Sequence, residues 1–154
     1  MGRAISRREA VAGAAMGAVS FGGMAGAAPA AAAPAADSVR GSWRITPKLP
    51  PGAPPFVALA AFGAGGIFIT TGSDEPGTGI GQWKSTSARG FAFAYTNFHF
   101  DGSGKLNNTV NVKAKGTFGG NTMTGTATLH RVDASGNPMG SPLTTKFTGK
   151  RISA

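Results

Sequence analysis

From Val39 onward the chain alternates apolar and polar residues in short runs, and glycines or turn clusters interrupt the alternation at short, regular intervals. A period of two puts successive side chains on opposite faces of an extended strand. No stretch of useful length repeats at the helical period. Eight such runs are legible: 39–46, 56–62, 67–71, 80–87, 91–100, 105–116, 122–132 and 139–152. Between them lie a proline-rich segment at 47–55, Gly63-Ala64-Gly65-Gly66, a loop at 72–79, Asp101-Gly102-Ser103-Gly104 and Asp133-Ala134-Ser135-Gly136-Asn137. Short turns join antiparallel neighbours, and an open sheet of this length would leave two exposed edges. The expectation is an all-β fold: an eight-stranded antiparallel up-and-down barrel whose interior is filled by side chains or by one small ligand.

The first 36 residues do not share this pattern. Arg3, Arg7 and Arg8 precede an uncharged stretch of Ala and Gly, then small residues and prolines with several A-x-A sites. This layout marks 1–36 as an export signal and 37–154 as the barrel domain. Ser6-Arg7-Arg8-Glu9-Ala10-Val11 resembles a twin-arginine signal. The expected location is exported: periplasmic, cell-envelope or extracellular. The mature chain is not expected to span a membrane. The sixth and seventh runs put Lys, Asn and Thr where a lipid-facing barrel needs apolar groups.

Parity within each run sorts the core from the surface. In the sixth, Leu106, Val110, Val112 and Ala114 face in, while Lys105, Asn107, Thr109, Asn111, Lys113 and Lys115 face water. In the seventh, Met123, Gly125, Ala127 and Leu129 face in, opposite Thr122, Thr124, Thr126, Thr128 and His130. The fifth, FAFAYTNFHF, is ambiguous because both faces carry rings. Phe98 and Phe100 are the expected inward pair, since Asn97 and His99 then reach water. Phe91, Phe93 and Tyr95 would form an outer patch for homo-oligomerisation. The opposite choice buries those three rings and places Asn97 and His99 inside. A bulge near Tyr95 or Thr96 would instead bury all four phenylalanines.

Trp43 on the first run and Arg151 on the last both fall on inward parity. Closure makes these strands neighbours, so the guanidinium is expected on the indole face, donating to backbone carbonyls. Gly41-Ser42-Trp43 and the terminal Arg151 resemble the Gly-x-Trp and final Arg of the calycins, which include the lipocalins and avidins. The segments GGIFITTG, GTGIGQWKS, FAFAYTNFHFDGSGKL, VDASGNP and TGKRI are similar to a group of small exported bacterial proteins with a lipocalin-like barrel. Where that group often carries His in the fourth strand, this chain has Ile80. The resemblance implies a fold and a container rather than a reaction.

Chemistry-bearing residues are sparse. The chain has no cysteine, and His99 and His130 lack metal-ligand spacing. No catalytic residue, cofactor or metal is expected. The acids after Asp37 (Asp74, Glu75, Asp101 and Asp133) fall in loops. The net charge of +9 attracts anionic polymers or simply keeps the chain in solution. Lysines without interleaved aromatics argue against nucleic acid. The leading functional expectation is a binding barrel for a small apolar ligand, with Trp83, Tyr95, Asn97 and His99 as candidate ligand-binding residues. Two alternatives are a barrel cyclase or isomerase resembling allene oxide cyclase, which needs those four side chains in one cavity, and a self-associating envelope protein.

Overall fold

The computed structural model describes residues 38–73 and 77–153. The expected signal at 1–36, with Asp37, Asp74 and Glu75, lies outside the described residues. Eight strands run in sequence: β1 (Gly41–Pro47), β2 (Ala58–Phe62), β3 (Ile67–Gly72), β4 (Thr78–Ser85), β5 (Gly90–Phe100), β6 (Leu106–Gly119), β7 (Thr122–Asp133) and β8 (Leu143–Arg151). Each pairs antiparallel with the next, and β8 returns to β1, closing the barrel. This is the up-and-down barrel read from the alternation. Among the described residues no helix is long and apolar enough to cross a membrane.

Closure is made by the first and last strands. Trp43 and Arg151 are direct partners across β1 and β8. The guanidinium carbon lies 4.3 Å from the indole centroid. Nη2 donates to Ser38 O at 2.6 Å, and Nη1 donates to Arg40 O. Trp43 is fully buried and its Nε1 donates to Val39 O at 2.7 Å. Burial pushes the Arg151 pKa down, since the charged form loses water. The backbone carbonyls and the ring face offset that loss. Gly41 makes the approach feasible: it sits at φ 117°, and a Cβ there would lie 2.9 Å from Arg151 Nη1.

The parity expected for β6 and β7 holds, with Val110, Val112, Ala114, Met123 and Ala127 all buried. Strand β5 is a correction. Phe91 is 0% and Phe93 7% exposed, while Phe98 and Phe100 are 52% and 60% exposed. Tyr95 is half-buried against the core. The ring-bearing odd face therefore points inward, and Phe91, Phe93 and Tyr95 offer no outer patch for self-association.

The reason lies on the neighbouring strands. Phe91 is opposite Gly116, Phe93 opposite Ala114, and Tyr95 opposite Gly81. A Cβ on Gly116 would stand 2.9 Å from the Phe91 ring, and one on Gly79 would stand 2.6 Å from the Tyr95 ring. Three rings inward also recover more burial than two, at about 1.5–3 kcal/mol per ring. A register shift does occur, but at His99/Phe100, beyond the rings rather than among them.

Both aspartates of the described chain fasten hairpin turns. Asp101 Oδ1 accepts from Ser103 N, Ser103 Oγ and Lys105 N; Asp133 accepts from Ser135 N, Asn137 N and Asn137 Nδ2. The Ser103 hydroxyl chiefly holds the Asp101 pKa down, and the Asn137 backbone N–H that of Asp133. A depressed folded pKa stabilises above the unfolded value and ceases to do so as pH falls through the folded value. Stability is therefore expected to be flat near neutrality and to fall below the ordinary aspartate range. In the Asp101→Asn, Asp133→Asn double variant urea titrations should show a weaker acid dependence. At the seam, Arg151→Gln should cost about 2–3 kcal/mol through the lost charged hydrogen bonds and ring contact. That loss should appear as a lower denaturation midpoint.

Candidate functional site: a half-filled barrel interior

The interior divides along the barrel axis. At the end carrying the β2–β3, β4–β5 and β6–β7 turns, aromatic rings fill the lumen. Phe62 stands edge-on to Phe68, Phe91 and Phe93 at centroid distances of 5.0, 5.6 and 5.7 Å. Phe68 stacks on Phe93 at 4.4 Å. Phe118 and Met123, direct partners on β6 and β7, are both buried at this end. Each such ring pair adds about 0.5–1.5 kcal/mol beyond its burial, so this half is a solid core.

Toward the opposite end the inward residues become smaller and the packing opens. A cavity of about 80 Å³ is lined by Ile45, Ala58, Phe68, Phe93, Val112 and Phe147, among others. A wider space of about 230 Å³ at the mouth shares Leu49, Phe56, Thr70, Tyr95 and Leu129 with it, so the two are continuous. The space exists because Ala58, Ala127 and Thr145 stand where larger side chains would fill it. Thr70, the buried polar residue of this wall, donates its hydroxyl to Leu59 O at 3.0 Å. It therefore presents no orphaned group.

The mouth is polar. Asn97 and His99 line it beside Tyr95. Asn97 Oδ1 and Asn108 Oδ1 are buried without a hydrogen-bond partner among the described residues. Asn108 is opposite His99 across β5 and β6, one inward row beyond the Asn97–Val110 pair. Each unpaired buried acceptor costs about 1–3 kcal/mol. A donor in that position, from water or a ligand, would recover it.

Three of the four candidate ligand-binding residues, Tyr95, Asn97 and His99, thus line one space. Trp83 does not. Its Nε1 donates to Gly63 O at 2.9 Å, and its ring lies edge-on to Phe62 at 5.8 Å, at the filled end. Trp83 is part of the core rather than a cavity wall. The cyclase reading needed all four together, so it is not carried further.

Sequence reasoning missed three contributors. Leu49, in the proline-rich segment, and Phe56, just after it, line the mouth. Leu49 is an apolar residue in an otherwise turn-forming stretch and Phe56 a ring directly after it, which is the signal that would have found them. Arg131 is opposite buried Val110 and therefore on the inward side of β7. It continues the parity of Leu129 into the mouth.

No family model, curated protein or solved structure matches the chain.

Removing the unpaired Asn97 acceptor with Asn97→Leu is expected to leave the fold intact and to raise the unfolding midpoint, worth about 1 kcal/mol or more. Urea denaturation of the purified variant measures this directly.

Proposed function

We propose that the protein is an exported binding barrel for one small, mostly apolar molecule with a polar end. The observation that supports this reading is the half-filled interior: an apolar cavity that widens into a mouth lined by Asn97, whose Oδ1 is unpaired among the described residues. A core selected only for stability tends to close such a space, because each unfilled volume forfeits dispersion contacts. Even taken together, the two continuous parts come only to the lower end of the roughly 300–1,000 Å³ of drug-sized pockets, so the ligand is small. An alkyl chain or single ring fits the inner part, and a hydroxyl or amine hydrogen fits the Asn97 acceptor. The Ala- and Gly-rich leader with Arg7-Arg8 supports export.

Native mass spectrometry of protein from the producing cells, and calorimetric titration with straight-chain C6 to C10 alcohols, test this reading. Ala127→Leu should fill the cavity and weaken binding at least tenfold while leaving the melting temperature equal or higher. Failure of every alcohol to bind, with no co-purified molecule, would remove the proposal.

Self-association is a second reading, moved to another face. Ile69 and Ile80 are direct partners on the outside of β3 and β4, at 44% and 65% exposure, with Leu59 beside them on β2. Grouped exposed aliphatics mark contact surfaces. A second copy is the fitting occupant, since a like aliphatic patch covers these side chains while Arg44, opposite Leu59, borders the patch. Sedimentation should show a dimer that Ile80→Lys converts to monomer.

A further inference from the structure

The outer wall formed by β6, β7, β8 and β1 carries an ordered array. Cross-strand pairing aligns Thr117, Thr124, Thr148 and Thr46 in one row across the four strands. On one side runs a second row, Lys115, Thr126 and Lys146, continued by Lys48, whose N donates to Lys146 O at 2.7 Å. On the other side lie Thr122, Lys150 and Arg44. Strands about 4.8 Å apart make the threonine row roughly 14 Å long. All four threonines are exposed, and their hydroxyls have no partner among the described residues. Two shallow external grooves, of about 570 and 520 Å³, share Thr46, Thr124 and Thr148.

Two features separate this array from ordinary surface charge. Arg44 is directly opposite Lys150, and like charges so placed destabilise a sheet. The barrel gains nothing from that pair. Nor does any carboxylate of the described residues relieve it, because Asp101 and Asp133 are both committed to hairpin turns.

We propose that this trough binds a linear anionic carbohydrate polymer laid along the threonine row. Flanking cations neutralise its acidic groups, and the threonine hydroxyls exchange hydrogen bonds with its sugar hydroxyls. The hydroxyl row argues for a carbohydrate. Bases would need stacking platforms, and the rows carry no aromatic side chain. This site is independent of the interior cavity.

Polygalacturonate is the probe, with neutral dextran and single-stranded DNA beside it, titrated calorimetrically at several salt concentrations. Wild-type protein should bind polygalacturonate, lose affinity as salt rises, and ignore dextran. Lys146→Gln with Lys150→Gln should flatten the salt dependence. Thr124→Val with Thr148→Val, which keeps strand-favouring residues, should weaken binding about fivefold at an unchanged salt slope. Ala127→Leu should bind the polymer normally. Absence of polygalacturonate binding overturns the proposal. So does equal binding of DNA with a silent threonine variant, which would reduce the trough to a generic cationic surface.

Discussion

A barrel encloses an interior only if its first and last strands meet, and here that meeting is organised by a cation on an indole. The Trp43 ring is wholly buried, and Arg151 lies across it while its nitrogens reach the carbonyls of Ser38 and Arg40. Placing a guanidinium at a half-buried site costs hydration. The arrangement is stable because the charge is satisfied on two sides at once, by backbone carbonyls at its edge and by the ring below. The same contact fixes the register of β1 against β8, and with it the faces of every other strand. A one-residue slip would turn Trp43 outward and Arg44 inward.

Within the sealed ring, packing is graded. Rings from β2, β3 and β5 interlock at one end, and glycines and alanines on β4 and β6 give them room. Toward the other end Ala58, Ala127 and Thr145 leave space beside Phe56, Tyr95 and Phe147. Stability is concentrated where the seam and the aromatic cluster lie. The mouth then tolerates unpaired acceptors without threatening the fold. Separating a rigid half from an open half is how a chain this short can both stay folded and keep an internal space.

The strands, their order and the closing contact were legible because each rests on a local pattern. Alternation sets faces, Gly and Asp mark turns, and parity put Trp43 and Arg151 inside. Strand β5 was misjudged because its own residues do not decide the matter. Phe91, Phe93 and Tyr95 turn inward because Gly116, Ala114 and Gly81 lie opposite them, and those pairings exist only once register is set. Asn97 and His99 on the same face are tolerable because they fall at the mouth, a position along the axis that one strand's sequence does not reveal. Trp83 shows the same limit: an inward indole is a cavity wall at one end of the barrel and core at the other. Arg131 was legible in principle, since it extends the parity of Leu129, but an isolated cation at a strand end reads first as surface.

The outer wall follows a different logic. Closure, register and the core restrict only the inward residues, so outward positions are free to vary among strand-compatible types. They are nevertheless sorted. Aliphatic residues occupy the outside of β2 to β4, and threonines between rows of cations occupy the outside of β6 to β1. Solubility alone favours mixed charge, and the described aspartates lie in hairpin turns rather than among these cations. Folding also gains nothing from Arg44 facing Lys150. The threonine row beside that pair runs in register across four strands, and it is this regularity, which the fold does not require, on which the polymer proposal rests.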